Sequence, residues 1–278
     1  TTAAIPEKGV YPVLMANGPT GVCYECEDEN DEESPTGKKM YPSTLMPSIM
    51  NLACTFDRKL AYDYGKAIGE QCRALSVALL LAPGINIKRS PLCGRNFEYF
   101  SEDPYLVSRL GAEYVKGLQS CGAGACVKHF ACNNREFRRF VSNSVVDKRA
   151  LREIYLYAFE YIVKNAKPAA IMPSYNLVNG EYSCENSYLL EQLLRREWGF
   201  EGVAVSDWGA ISDRIKALKA GCDIEMPYSE TVNEKELLKA LEYGEISQDD
   251  IDKCVLRILN FVLNSYPHKK PKEGIPKD

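Results

Sequence analysis

The stretch from 169 to 207 decides the fold. It opens on Ala169-Ala170-Ile171-Met172-Pro173-Ser174-Tyr175, a mostly apolar run of strand length. Asn186 to Trp198 then carries helical spacing and stops at Gly199. Gly202-Val203-Ala204-Val205-Ser206-Asp207 is a second apolar run of the first kind. Strands that stay apolar along their length are buried on both faces, and a helix between two of them makes them parallel neighbours.

The same alternation extends both ways. Upstream, strands are expected over Tyr11 to Ala16, Val77 to Ala82 and Gly124 to Phe130. Helices are expected over Asp57 to Ala74, Pro104 to Gln119 and Asp147 to Ala166, with Asp103 capping the second and Pro104 at its first position. Downstream come a helix over Ile211 to Ala220, ended by Gly221, and a short strand, Asp223 to Met226. Helices over Asn233 to Glu242 and Gln248 to Leu263 follow. Six strands alternating with helices give an α/β fold: a TIM-like (β/α) barrel, irregular or incomplete, with mostly parallel strands. An open doubly wound sheet fits the alternation too. It is disfavoured because no G-x-G-x-x-G follows the first strand and no Walker A motif occurs. The barrel domain is expected over 1–265, with a Lys/Pro-rich tail or linker over 266–278. Glu25 to Glu33 reads as a solvated, mobile acidic loop.

Composition removes several function classes. The chain has 278 residues, with 34 Lys+Arg against 38 Asp+Glu and a net charge of −4, which excludes binding nucleic acid by bulk charge. Apolar residues make up 45% and charged residues 26%, the balance of a globular chain. No apolar run is long enough to span a membrane. Eleven cysteines, an odd number in a long chain, read as reduced thiols of a cytoplasmic protein, and no basic-then-apolar leader follows Thr1. Cys23 and Cys26 form a lone C-x-x-C, a weak zinc signal. His129 and His268 are the only histidines, so a three-histidine metal site is excluded.

Polar and aromatic residues gather at strand ends. Asn17 ends the first strand, Arg95 follows the second, and Lys128 and His129 lie near the end of the third. Tyr175 ends the fourth, and Asp207-Trp208 the fifth. In a parallel barrel these ends converge on one face. Asp207 is the candidate nucleophile; its plainer role is to cap the helix near Ile211. Trp208 is a candidate wall for a sugar face, or core packing. Lys128 and His129 are adjacent on a strand, so a bulge or turn is needed to bring both to one ligand; His129 alone would read as a satisfied core histidine. Arg95 suits a hydroxyl or carboxylate, or an ion pair with Glu98, Glu102 or Asp103.

Several longer motifs carry a family resemblance. They are Ile85 to Pro104, containing Gly94-Arg95-Asn96-Phe97-Glu98-Tyr99, then Lys128-His129-Phe130, Asn133-Asn134, Ala150 to Tyr155, Met172-Pro173-Ser174-Tyr175-Asn176 and Ser206-Asp207-Trp208-Gly209-Ala210. Together they resemble glycoside hydrolase family 3 of the bacterial β-glucosidase type, from about Ile5 to about Phe261. The resemblance implies a retaining glycosidase that releases terminal non-reducing β-D-glucosyl or related sugars. It implies Asp207 as nucleophile and Arg95, Lys128, His129 and Tyr175 as partners of the sugar hydroxyls. Met172 and Trp208 would line the pocket. It implies no cofactor, and an irregular barrel.

The pattern departs from the family at Asn17, where Asp is usual, at Cys23, where Arg is common, and at Arg135, where Gln is usual. An amide gives up the charge-assisted bonds of a carboxylate. Family members of this type carry a second, α/β sandwich domain that supplies the acid/base glutamate, and this chain has no such segment. The loop Asn133-Asn134-Arg135-Glu136 also lacks the histidine that single-domain relatives use. Three readings follow: the barrel part of a two-domain β-glucosidase, a catalytically impaired sugar-binding or scaffold protein, or a standalone glycosidase whose acid is an unplaced glutamate.

Overall fold

The computed structural model describes residues 2, 4–23, 25–27, 38–40, 42–229 and 231–265. The tail expected over 266–278, His268 and the acidic residues 28–33 lie outside them. Five parallel strands form the main sheet: β1 (Met15–Ala16), β2 (Leu79–Leu80), β3 (Gly124–Phe130), β4 (Ala170–Pro173) and β5 (Val203–Ala204). They are hydrogen-bonded in the order of the chain. A doubly wound sheet reverses its strand order at a switch point; this sheet does not, as a barrel requires. A parallel bridge from Val205 to Ile224 adds a sixth position, where the short strand at Asp223 to Met226 was expected. The result is an irregular, incomplete (β/α) barrel.

Alternate strand residues divide between two apolar clusters, as a period of two dictates. Leu80, Ala125, Val127, Ile171 and Ala204 face the helices and pack with Ile68, Leu110, Ile162 and Leu190. Leu79, Cys126, Ala170, Met172, Val203 and Val205 form the inner cluster. Phe261 and Val262 of the last helix, Gln248–Asn264, join that inner set. Each fully buried aliphatic or aromatic side chain contributes about 1.5–3 kcal/mol.

The helices start where short polar side chains accept backbone N–H groups. Asp57 caps Arg58–Ala74, Asp103 caps Pro104–Gln119, and Asp213 caps Arg214–Ala220. Ser247 and Asp250 form a reciprocal capping box on the last helix. Below the strand ends, the buried Asp223 carboxylate accepts from Arg195 Nη2 at 2.7 Å, Arg257 Nε at 2.7 Å and Ala204 N at 2.8 Å. It thereby ties two helices to β5.

Two expectations need correction. The helix expected over Asp147 to Ala166 is not uniform: Leu156 N bonds back five residues to Leu151 O, and a regular α-helix resumes at Tyr157. The acidic segment is not all loop, because Glu25–Glu27 pairs antiparallel with Lys38–Met40. No helix among the described residues is long and apolar enough to cross a membrane.

Candidate active site

Asp207 lies just beyond β5, at the C-terminal ends of the strands. The preceding residue is pinned on both sides: Ser206 N donates to Ile224 O at 2.8 Å, and Met226 N donates to Ser206 Oγ at 2.9 Å. The Trp208 amide donates to Asp207 Oδ1 at 2.7 Å. The other oxygen, Oδ2, is buried and accepts no well-formed hydrogen bond. It lies 3.5 Å from His129 Nε2 and 3.9 Å from Arg95 Nη1. Asp207 is not the cap of the following helix; Asp213 has that role.

Lys128 and His129 reach this carboxylate region through an irregular strand end. The register of β3 on β4 shifts between Lys128 and Phe130, and the Lys128–His129 peptide is cis. The register shift is the bulge-like distortion that the sequence required. Asn86 clamps the backbone of His129, donating to its carbonyl at 2.9 Å and accepting from its N–H at 2.8 Å. Tyr99 Oη lies 3.0 Å from His129 Nδ1, and Asn133 Nδ2 donates to that hydroxyl at 3.2 Å. Burial first, then the nearby Arg95 and Lys128 charges, push the His129 pKa well below the ordinary imidazole value, so the ring is neutral.

Glu98 sits between two cations. Its carboxylate is buried, pairs with Arg95 Nε and lies 3.5 Å from Lys128 Nζ. Arg95 thus fills both roles read for it, as partner of Glu98 and as neighbour of Asp207. Gly84 makes this approach feasible. It bridges to both Tyr99 and Lys128, and a Cβ there would come within 2.8 Å of Glu98 O and 2.9 Å of the Tyr99 ring. Any larger residue would push the 96–99 turn off β3.

Tyr175 follows β4, its ring 4.5 Å from that of Phe140 and 4.3 Å below the Arg139 guanidinium. Burial, then the charge of Asp207, raises its pKa. Met172 pairs with Lys128 across the ladder and belongs to the inner cluster. Trp208 is 64% exposed, which overturns core packing and puts it on the rim. Asn17 ends β1 and is exposed; its carbonyl accepts from Cys23 N at 2.7 Å. Its side chain makes no hydrogen bond among the described residues. So Asp207, Arg95, Lys128, His129 and Tyr175 come together, and Asn17, exposed at the end of β1, has no hydrogen bond to any of them.

Glu98 was visible in the sequence only as an ion-pair partner at i+3 from Arg95. Tyr99, Asn133 and Asn86 stood in the sequence only as members of the longer motifs, with no role read for them, because Asn86 and Tyr99 meet His129, and Asn133 meets Tyr99, through the fold and not through spacing. No group of three or more His, Cys, Asp or Glu among the described residues is arranged to hold a metal ion. Chemically, the site offers one carboxylate with an unengaged oxygen, ringed by an imidazole, a guanidinium and a phenol, with an ammonium held one residue away through Glu98.

The model of the glycosyl hydrolase family 3 N-terminal domain matches residues 29–261. The chain belongs to glycosyl hydrolase family 3. This family 3 domain is 47% identical over 277 residues to thermostable beta-glucosidase B of Acetivibrio thermocellus, covering 100% of this chain and 36% of that protein. It is 41% identical over 258 residues to an exo-alpha-(1->6)-L-arabinopyranosidase of Bifidobacterium breve, covering 93% and 34%. Beta-glucosidase 3B of Thermotoga neapolitana, solved in complex with glucose, superposes with a TM-score of 0.88 at 44% identity, covering 95% of this chain and 37% of that one. The chain therefore spans about a third of the length of the curated relatives it matches.

Proposed function

We propose that this chain is the nucleophile-bearing part, over residues 1–265, of a retaining glycosidase that releases terminal non-reducing β-D-glucosyl or related sugars. The observation that carries the reading is the buried, unengaged Oδ2 of Asp207 between His129 and Arg95. A carboxylate oxygen that accepts no well-formed hydrogen bond keeps a lone pair for the anomeric carbon. Asp207 attacks from one face while a second carboxyl group protonates the leaving oxygen, the two about 5–5.5 Å apart in retaining enzymes. Arg95, Lys128, His129 and Tyr175 hold sugar hydroxyls and fix the attack geometry. Met172 walls the inside, Trp208 lines the rim, and Asn17 reaches the sugar from β1.

Glu98 is an unsuitable acid because two cations hold it, and Glu136 is paired with Arg139 at 2.9 Å. The acid/base glutamate is therefore assigned to a second, α/β sandwich domain packed over the mouth. Exposed apolar residues on the loops after β2 and β3 support this: Leu92, Phe97, Phe137 and Val141. The names of the relatives, beta-glucosidases and an arabinopyranosidase, support the substrate class. A cytoplasmic setting is proposed from the cysteines, ten of which are free thiols among the described residues.

Hydrolysis of a nitrophenyl β-glucoside by the full-length protein tests the reading. Asp207→Asn is expected to lower kcat by about 10⁴-fold or more, as loss of a nucleophile does elsewhere. Retained turnover in that variant would remove Asp207 from its assigned role.

A further inference from the structure

A neutral imidazole carries hydrogen on one nitrogen only, and the bond made by one nitrogen fixes the state of the other. At His129, Nδ1 faces the Tyr99 hydroxyl at 3.0 Å, and that oxygen accepts from Asn133 Nδ2 at 3.2 Å. Tyr99 is 1% exposed, so its own hydrogen needs an acceptor inside the protein. Among the described residues the bare Nδ1 of His129 is the acceptor it meets. Nδ1 is then without hydrogen and Nε2 carries it. The reverse chain, with the Asn133 amide turned over, would put hydrogen on Nδ1. It would also aim the Nε2 lone pair at the Asp207 Oδ2 lone pairs 3.5 Å away, in a buried site where that repulsion is poorly screened. The observed proximity of Nε2 and Oδ2 selects the first arrangement. The two-bond clamp from Asn86 onto the His129 backbone keeps the ring from retreating.

We propose that Asn133 and Tyr99 form a buried relay that fixes His129 as its Nε2–H tautomer, making the imidazole a hydrogen-bond donor toward Asp207 and the sugar. Both act through His129 and are positioning residues. The tautomer rests on the hydrogen-bond geometry together with the neutral ring that burial imposes; its consequence for sugar binding rests on the proposed function.

The chain has only two histidines, which makes the test direct. Protein labelled with nitrogen-15 histidine is examined by long-range proton–nitrogen correlation, with His268→Gln identifying the His129 signals. The expected pattern is a neutral ring with protonated Nε2 and bare Nδ1. A Tyr99→Phe variant is expected to shift the Nδ1 resonance, because its donor is gone. Hydrogen on Nδ1 in the unaltered protein overturns the proposal, as does an Nδ1 resonance that ignores Tyr99→Phe. In the full-length protein, Tyr99→Phe is expected to weaken glucose binding about tenfold, the size of one hydrogen bond. Unchanged binding overturns the link to the sugar site. If the unaltered full-length protein neither binds glucose nor cleaves glucosides, the functional reading fails and the tautomer result still decides the relay.

Discussion

Replacing Glu98 with Gln strands a buried lysine. The Glu98 carboxylate is 3% exposed, and Lys128, 4% exposed, lies 3.5 Å from it. At an effective dielectric of about 20, a pair at that distance attracts by about 5 kcal/mol before desolvation is counted. Removing one partner of a buried pair costs about 3–5 kcal/mol, because the other charge stays buried and unpaired. Arg95 keeps Asp207 at 3.9 Å, so Lys128 bears most of the loss. Glu98→Gln preserves volume and one acceptor oxygen, which confines the change to charge. Urea unfolding with linear extrapolation should show a loss of about 3–5 kcal/mol. Lys128→Met on that background removes the stranded ammonium. The double variant should be more stable than the sum of the two single losses by about 1–3 kcal/mol. Additivity within about 0.5 kcal/mol would refute the reasoning, since it would mean that the two charges do not sense each other.

Asp223→Asn should cost about 3–5 kcal/mol, because it leaves Arg195 and Arg257 without the carboxylate they share; an unchanged urea midpoint would contradict this. His129 has a folded pKa depressed by burial, so the unfolded chain takes up a proton that the folded one refuses. The stability this group contributes is complete above the unfolded pKa of about 6.5 and falls by about 1.4 kcal/mol per unit as pH drops below it. Urea midpoints at about pH 7 and pH 5.5 should therefore converge more closely in His129→Gln than in the unaltered protein, and equal slopes would count against the neutral ring. Asn17→Asp should tighten glucose binding about tenfold by restoring a charge-assisted acceptor. Calorimetry showing no gain would mean that Asn17 does not reach the sugar.

The barrel was legible because its strands are apolar along their length and its helices are punctuated by Asp caps and by Gly199 and Gly221. β3 occupies Gly124–Phe130 as expected. The other strands are shorter than their apolar runs, since only the paired part of each run sits in the ladder; β2 keeps Leu79–Leu80 of Val77 to Ala82. That Asp207, Arg95, Lys128, His129 and Tyr175 would lie together was legible through strand-end position and motif. What links them was not. Glu98 reads as a surface ion-pair partner until Gly84 brings its turn against β3. Asn133 and Asn86 look like loop residues until the fold closes on His129. Periodicity reports which face is apolar; it carries no record of which polar atoms meet across 30 or more residues.

Covalent trapping tests the central claim most directly. A dinitrophenyl fluoroglucoside has a leaving group that needs no acid, so a competent nucleophile is labelled even without a second carboxyl group. The chain should gain one fluoroglucosyl mass, and peptide mapping should place it on Asp207. An unlabelled chain, or a label on any other carboxylate, would contradict the account.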